Sequence, residues 1–183
     1  MKDLKDRTVV LGIGGGIAAY KCCKLARMLS TAGASVHCVL TGAGAQFVTP
    51  LTLQTLTANP VHTEIFNLIQ ESEIGHISLA DRADLVIVAP ATADIIAKVA
   101  HGICDELLTT VICATKAQVL FAPSMNSNMW ENKITQGNVA KLKENGYRFI
   151  EPAEGVLACG YEGKGRLPEP HIIVEKASNI LKP

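Results

Sequence analysis

The chain has 183 residues, 48% hydrophobic and 19% charged, and its seventeen basic residues balance seventeen acidic ones. This length and composition predict one domain with a proper core, spanning residues 1–183. The zero net charge argues against nucleic-acid or membrane partners that bind through bulk charge. Because the apolar runs are too short to cross a bilayer and the N-terminus lacks a signal-peptide pattern, we expect a cytoplasmic protein.

Short apolar runs alternate with helical patterns along the chain. Strands are predicted at 8–14, 35–41, 61–66, 84–90, 118–124 and 147–152, the third of them at a sheet edge. Helices are predicted at 17–33, 50–57, 91–102, 105–116, 128–146 (with a break near Gly137) and 170–181. This alternation indicates an α/β fold: a Rossmann-like, doubly wound parallel sheet in three layers, with helices on both faces.

Four of the predicted strands end in glycine, small or hydroxyl residues. Ligands of doubly wound folds bind beyond the carboxyl ends of the strands, so these ends should converge on one crevice. They are the segments GGGIAA, LTGAG, APATAD and APSMN.

The glycine run GIGGGI at 12–17 departs from the dinucleotide fingerprint, because Ile17 stands where G-x-G-x-x-G needs glycine. The second strand ends in Thr41-Gly42, without the acid that would hold an NAD ribose. Glycines still let the backbone approach a phosphate, and the following helix N-terminus supplies N–H donors. The pattern favours a mononucleotide phosphate over NAD, with a tight turn that binds nothing as the alternative.

Thr92 and Asn126 follow the fourth and fifth predicted strands. Small residues around Thr92 would let a flat ring lie against the backbone, and Asn126 offers a donor and an acceptor to an amide or carboxylate. Either side chain is equally suited to capping the helix that follows, so both roles stay open. His76, just before a short amphipathic helix, gains little weight from its spacing alone.

None of the six cysteines forms a C-x-x-C pair, so neither a zinc site nor a thioredoxin-like centre is expected, and we predict no metal. Cys22, Cys38, Cys104 and Cys113 fall in apolar periodic segments and are predicted to be small buried hydrophobes. Cys159 differs, because it lies in the glycine-rich segment LACGYEGKGRLPEP, which has the composition of a mobile loop.

Several motifs together resemble the flavin-dependent cysteine decarboxylase (HFCD) family, and most closely its coenzyme A branch. They are GGIAAYK at 15–21, the histidine of GHISLADRADL, PATAD at 90–94, PSMNSNMW at 123–130 and LACGYEGKGR at 157–166. The resemblance covers about residues 7 to 181. It implies an FMN-dependent enzyme that converts 4′-phosphopantothenoylcysteine to 4′-phosphopantetheine through thioaldehyde and ene-thiolate intermediates. It also implies a homotrimer, or a multiple of trimers, with FMN near the subunit interface.

The same resemblance implies roles for individual residues. His76, Asn126 and Cys159 match the catalytic histidine, the residue that binds the substrate carboxylate and the cysteine that protonates the reduced intermediate. The flavin-contacting positions match Gly15, Gly16, Ile17, Thr41, Thr92, Ala93, Asp94, Ile95 and Ser124. Asn126 and Met129 would bind substrate, and Lys164 or Arg166 would hold its phosphate unless these two charges are simply solvated.

Residues 153–169 would act as a flexible lid that folds over the substrate, excludes water and brings Cys159 to the reacting carbon. The family often has A-N-T where this chain has Ala93-Asp94-Ile95, which leaves the contact of Asp94 open. Many bacterial members continue into a ligase domain that makes the decarboxylase substrate. A phosphopantothenate–cysteine ligase, fused or separate, is therefore the implied protein partner.

Other functions share part of this pattern. An oxidative decarboxylase of peptidyl C-terminal cysteine would share FMN and PSMNSNMW, but it would not need Cys159. A prenylated-flavin synthase should lack the combination of His76 and Asn126. A non-catalytic regulatory subunit that binds a phosphatase would carry a long acidic tail, and a plain mononucleotide-binding module would need neither His76 nor Cys159.

Overall fold

The computed structural model describes residues 4–66, 75–156, 160 and 162–182. Six strands form a parallel sheet: β1 (Thr8–Ile13), β2 (Ser35–Leu40), β3 (Val61–His62), β4 (Leu85–Ala91), β5 (Gln118–Pro123) and β6 (Arg148–Phe149). The helices are α1 (Ala19–Thr31), α2 (Pro50–Thr57), α3 (Gly75–Arg82), α4 (Ala93–Ala100), α5 (Leu107–Ala114), α6 (Ser127–Glu131), α7 (Lys133–Glu144) and α8 (Pro170–Ile180). A two-stranded antiparallel hairpin, β7 (Ala153–Val156) and β8 (Glu162–Arg166), lies outside the main sheet.

The strand order β3-β2-β1-β4-β5-β6 is that of a doubly wound Rossmann-like sheet, which confirms the predicted fold class. The order reverses between β1 and β4, whose pairing runs in register from Val9 with Leu85 to Gly12 with Val88. Because both faces are covered by helices, neighbouring residues of one strand enter different cores. Val9 packs with α1 and α8 on one face, and Val10 packs with α3, α4 and α5 on the other.

Three differences from the sequence-based elements have local causes. The predicted strand 61–66 pairs only at Val61 and His62, at the sheet edge. The predicted helix 128–146 breaks at Asn132, not near Gly137, because the Asn132 side chain accepts a hydrogen bond from the backbone N–H of Ile134 at 2.8 Å and begins a new helix. The hairpin β7–β8, within the segment whose composition predicts a loop, was not expected from the sequence.

The cysteine prediction was correct for Cys22 and Cys38, which are fully buried, and wrong for Cys104 and Cys113, which are exposed. Cys104 lies in the connection between α4 and α5. Cys113 belongs to α5 but does not share the face that carries the buried Leu108 and Ile112. An apolar segment therefore predicted burial for two thiols that the fold turns outward.

Within the described ranges, no helix combines the length and apolar character needed to cross a membrane. The same ranges contain no cluster of three or more histidine, cysteine, aspartate or glutamate side chains that could hold a metal ion.

Candidate functional site

A cleft of about 1000 Å³ lies at the carboxyl ends of β1, β2, β4 and β5. This volume is at the upper end of the range for small-molecule sites, about 300–1,000 Å³. The structure brings all four predicted strand ends into it, as the sequence indicates. We call this part the strand-end wall: Gly15, Gly16, Ile17, Ala18, Thr41, Gly42, Ala43, Thr92, Ala93, Asp94, Ile95, Ser124, Met125 and Asn126.

The turn after β1 passes very close to its neighbours. A Cβ atom on Gly15 would overlap the Cβ of Ala43, and one on Gly14 would lie 2.5 Å from the carbonyl oxygen of Pro90. No real Cβ contact is that short, so glycine is required at both positions for packing alone. These glycines let the ends of three strands come together at the base of the cleft.

Thr41 ties the ends of β1 and β2 together. Its hydroxyl donates to the carbonyl oxygen of Ile13 at 3.1 Å and accepts from the backbone N–H of Gly44 at 2.9 Å, and the residue is buried. The hydroxyl of Thr41, a position that the resemblance assigns to flavin contact, therefore holds the backbone of the cleft itself.

The turn that leads into α1 can receive an anion. Among the described residues, the backbone N–H groups of Ile17 and Ala18 donate to no backbone carbonyl, and the first turn contains no acidic side chain. Unpaired N–H groups and the positive end of the helix dipole together favour a phosphate there.

The N-terminus of α4 is capped by Thr92, whose hydroxyl accepts a hydrogen bond from the backbone N–H of Ile95 at 3.2 Å. The structural role that the sequence left open for Thr92 is thus present. Thr92 and the neighbouring Ala93 and Asp94 also line the cleft.

One side of the cleft carries a charge cluster that the sequence analysis missed. The Lys98 ammonium lies 3.3 Å from a carboxylate oxygen of Asp94, 3.2 Å from Asp105 and 3.9 Å from Glu106. Desolvation lowers the pKa of Lys98, but the hydrogen bonds that its ammonium donates to Asp105 and Asp94 outweigh it and leave that pKa raised. Partial burial raises the pKa of Glu106, and the charge of Lys98 opposes that shift.

Asn126 begins α6 and lines the cleft. Its Oδ1 accepts a hydrogen bond from the backbone N–H of Asn128 at 2.9 Å, which is the capping role that the sequence left open. This bond uses the acceptor oxygen of the amide, whereas a bound carboxylate would need the Nδ2 donors. The two roles use different atoms of the same amide. Met129, one turn on, is exposed at the cleft surface.

The hairpin and the residue that follows it also line the cleft, and we call their lining residues, Val156, Gly165, Arg166 and Leu167, the hairpin wall. The backbone N–H of Met125 donates to the carbonyl oxygen of Gly165 at 3.0 Å. A Cβ on Gly165 would overlap the Met125 carbonyl oxygen, so β8 lies directly against the strand end that carries Asn126.

The two predicted phosphate ligands have different surroundings. Arg166 lines the cleft, and its side chain passes over Gly155, where a Cβ would lie only 2.7 Å from Nη1. Arg166 forms no ion pair with any residue of the described ranges. Lys164 is not among the lining residues, and its ammonium pairs with Glu151 at 2.9 Å. Lys21 of α1 also lines the cleft and pairs with Glu169 at 2.9 Å.

The structure does not bring together all three predicted catalytic residues. His76 lies in the first turn of α3, not before the helix, and it does not line the cleft. Its Nδ1 is buried and has no hydrogen-bond partner within the described part of the chain. Cys159 lies outside the described residues.

The cleft also contains residues that sequence reasoning did not single out as ligands. Lys21 ends the quoted motif GGIAAYK, so a signal for it was present. Lys98 and Glu106 belong to no motif, and only the packing of α4 against the start of α5 brings them together.

A flavoprotein family model matches residues 1–182. The chain belongs to the flavoprotein family. The match covers nearly the whole chain and therefore includes every strand end of the cleft.

Two relatives of this chain differ in length. The chain is 49% identical over 174 residues to the coenzyme A biosynthesis bifunctional protein CoaBC of Bacillus subtilis, and the match covers 95% of this chain and 43% of that protein. The chain is 43% identical over 177 residues to a probable phosphopantothenoylcysteine decarboxylase of Streptococcus mutans, and that match covers 96% of this chain and 99% of that protein. The chain thus spans less than half the length of the bifunctional relative and nearly all of the shorter one.

Solved structures of this family have the same architecture. A mutant PPC decarboxylase complexed with pantothenoylaminoethenethiol superimposes with a TM-score of 0.84 at 30% identity, over 94% of this chain and 97% of that one. The FMN binding protein AtHal3 gives a TM-score of 0.82 at 30% identity, over 97% of both chains.

Proposed function

We propose that this flavoprotein catalyses the FMN-dependent decarboxylation of 4′-phosphopantothenoylcysteine to 4′-phosphopantetheine, as a phosphopantothenoylcysteine decarboxylase. One observation carries the proposal. Asn126 lies in the same cleft as three glycine-rich or hydroxyl-bearing strand ends, in a chain 43% identical to nearly the full length of a probable decarboxylase of that name. That cleft can hold a cofactor on one wall and a carboxylate substrate beside it.

The strand-end wall fits FMN. Gly15, Gly16 and Ile17 would receive the phosphate, since the turn there has no obstructing side chain and the N–H groups of Ile17 and Ala18 make no backbone bond within the described residues. Contacts with the rest of the cofactor would come from Thr41, Thr92, Ala93, Asp94, Ile95 and Ser124. When bound, the flavin would take a hydride from the cysteinyl carbon of the substrate and return it after CO2 has left.

The chain's own side chains would bind and orient the substrate. The Nδ2 group of Asn126 would donate to the substrate carboxylate, and Met129 would lie against its apolar part. Arg166 would hold the phosphate, because it is a cation in the cleft with no carboxylate partner in the described ranges, whereas Lys164 is paired with Glu151.

His76 would act in a neighbouring copy of the chain. It lies outside its own cleft, and its buried Nδ1 has no hydrogen-bond partner among the described residues, which suits a site completed by assembly. We therefore propose a homotrimer or a multiple of trimers, in which His76 orients or exchanges the substrate thiol proton. Residues 153–169 would serve as the substrate lid and carry Cys159, which would deliver a proton to the reacting carbon.

Residues 1–183 would form one flavin-binding domain that works in the cytoplasm. Its partner would be a phosphopantothenate–cysteine ligase, since the bifunctional relative of Bacillus subtilis continues well beyond the matched region.

The product mass tests the proposal. Purified protein loaded with FMN is incubated with 4′-phosphopantothenoylcysteine, and the product should have lost CO2 alone. A product that has also lost two hydrogens would assign the protein to the peptide-type oxidative decarboxylases. A yellow protein that never releases CO2 would favour the regulatory subunit, and a protein that FMN cannot reconstitute would refute the cofactor assignment.

A further inference from the structure

The hairpin carries a β-bulge that separates its two basic residues. In a regular strand Lys164 and Arg166, two positions apart, would point to the same face. Lys164 lies opposite Glu154, but Arg166 lies opposite Ala153, which leaves one extra residue, Gly165, on β8. Because Ala153 and Glu154 are consecutive on β7, they and their partners point to opposite faces of the hairpin. The bulge therefore turns the two basic side chains apart.

The face that carries Arg166 is turned toward the body of the protein. Gly163 belongs to this face because it neighbours Lys164, and a Cβ on it would overlap the Ser127 hydroxyl of α6. On this face Arg166 lines the cleft. Lys164, on the other face, pairs with Glu151 at 2.9 Å and does not line the cleft. The bulge thus accounts for the different surroundings of the two cations.

The outer half of the Arg166 side chain lies against the backbone of Gly155 on the facing strand. A Cβ on Gly155 would lie 2.7 Å from Nη1, 3.3 Å from Cδ and 3.7 Å from Cζ of the arginine. Gly155 also has a φ of +138°, which glycine adopts readily and other residues rarely do. Glycine at this position therefore leaves to the guanidinium the space that any other side chain would need.

We propose that Gly155 is a positioning residue, which together with the bulge at Gly165 makes Arg166, and not Lys164, the ligand of the substrate phosphate. A guanidinium held along β7 presents its N–H donors in one orientation, as bidentate recognition of a phosphate requires. Arg166 has no ion-pair partner in the described ranges that would compete for those donors. This role rests on the proposed function, which supplies the identity of the phosphorylated ligand.

A side chain added at Gly155 should move the arginine and leave the hairpin in place. The atoms nearest to the added carbon belong to the end of a long, flexible side chain. The facing strand is held separately, because the backbone N–H of Met125 donates to the carbonyl oxygen of Gly165 at 3.0 Å. Gly155→Ala should therefore displace the guanidinium without changing the strand ends that would hold FMN.

Steady-state kinetics of the FMN-loaded protein tests this role, with 4′-phosphopantothenoylcysteine and with pantothenoylcysteine, which lacks the phosphate. Gly155→Ala should raise KM for the phosphorylated substrate about tenfold, and leave KM for the other substrate and both kcat values unchanged. Arg166→Gln should do the same, and the double variant should lose no more than Arg166→Gln alone. The control Gly146→Ala, at a φ of +87° with no atom within 4 Å of the added carbon, should behave like wild type.

Three results of these assays would overturn the positioning role. Equal losses on the two substrates would show general damage to the hairpin. Additive losses in the double variant would show that Gly155 acts independently of Arg166. An unchanged KM in Gly155→Ala would show that the guanidinium does not need this position.

Arg166→Lys gives a second test that does not depend on the folding of Gly155→Ala. Lysine keeps the charge, but its ammonium ends one bond short of Nη1 and has no planar fork to lie along Gly155. Its preference for the phosphorylated substrate, measured as the ratio of the two KM values, should fall between those of wild type and Arg166→Gln. A full preference in Arg166→Lys would show that a charge alone suffices and would overturn the role of Gly155.

Calorimetry separates this role from the proposed reaction. A wild type that never releases CO2 would refute the proposed function, and binding of 4′-phosphopantetheine and pantetheine would then decide. Binding of the phosphorylated compound about tenfold more tightly by wild type, with this preference lost in Gly155→Ala, would support the positioning role. Equal affinities of wild type for the two compounds would overturn it.

Discussion

The two walls of the cleft are built differently. The strand-end wall continues from strands whose carboxyl-terminal halves are buried, and its turns pack so closely that Gly14 and Gly15 have no room for a side chain. The hairpin wall rests on the Met125–Gly165 hydrogen bond and close backbone packing, and it carries Val156 with 65% of its surface exposed. Substitutions in the strand-end wall should therefore cost stability and cofactor binding, whereas those in the hairpin wall should cost substrate binding.

Asn126, where the walls meet, should give the largest effect on activity. Asn126→Asp removes the Nδ2 donor and places a negative charge beside the substrate carboxylate. Loss of a hydrogen bond to a charged group costs about 1.5–3 kcal/mol, and repulsion adds to it, so kcat/KM should fall by about a hundredfold or more. Aspartate caps a helix as well as asparagine does, so stability and FMN content should be retained.

The matched control is Asn132→Asp, because Asn132 caps α7 in the same way and does not line the cleft. It should retain full activity. Equal losses in the two variants would show that Asn126 acts only through its helix, and normal turnover of Asn126→Asp would refute its carboxylate-binding role.

Gly15 tests the rigidity of the strand-end wall. Gly15→Ala places a Cβ onto Ala43, and overpacking of this kind costs about 1–3 kcal/mol of unfolding free energy. Gly137→Ala, in an exposed position of α7 with no atom within 4 Å of the added carbon, should be neutral or stabilise by up to about 1 kcal/mol. Urea unfolding monitored by circular dichroism measures both. A Gly15→Ala protein as stable as wild type would contradict the close packing.

Arg166 tests the hairpin wall. Arg166→Gln should raise KM for 4′-phosphopantothenoylcysteine about tenfold, the effect of losing roughly 1.4 kcal/mol of charge-assisted binding, with kcat nearly unchanged. Lys164→Gln, on the same strand but paired with Glu151 outside the cleft, should leave KM unchanged. A raised KM in Lys164→Gln with an unchanged KM in Arg166→Gln would show that Lys164, and not Arg166, binds the substrate phosphate.

The smallest expected effect is the pH-dependent stability contributed by Glu151, which precedes the hairpin. Hydrogen bonds from Lys164 and then Lys143 lower the pKa of Glu151. A folded-state pKa below the unfolded value contributes stability that is present above the ordinary glutamate pKa of about 4.3 and is lost as pH falls through the lower folded value. Since Glu151 is about half exposed, Glu151→Gln should cost only about 0.2–1 kcal/mol at neutral pH.

Chemical unfolding at pH 7 and in the acid range measures this difference. The two proteins should converge in stability as the pH falls below the glutamate range. A constant difference at all pH values would show that the pair contributes no pH-dependent stability.

The sequence predicts the strand-end wall well and the hairpin wall poorly. Buried parallel strands such as β4 are continuous apolar runs, and their ends carry the small residues that a cleft needs. The residues that follow each apolar run can therefore be assigned to the cleft from the sequence. The hairpin has no such pattern, because EGKGR is polar throughout and is placed by Gly165 against Met125. Nothing in its composition distinguishes it from a loop.

Ion pairs and packing between separate segments explain the other features that the sequence did not predict. Lys164 and Arg166 look equivalent in the sequence, and only the position of Glu151 separates them. The Lys98 cluster joins residues of α4 to the connection before α5, and no local pattern indicates that Asp105 and Glu106 turn back toward it. The exposure of Cys104 and Cys113 has the same origin, since the apolar character of a segment does not tell which residues face outward.

Hydrogen–deuterium exchange tests the division of the cleft most directly. FMN alone should protect peptides of the strand-end wall, 12–18, 40–44, 91–96 and 122–126, and leave residues 153–166 unchanged. Addition of a substrate analogue that retains the carboxylate and phosphate should then protect 153–166. Protection of the hairpin by FMN alone, with the strand ends unchanged, would contradict the assignment of cofactor and substrate to the two walls.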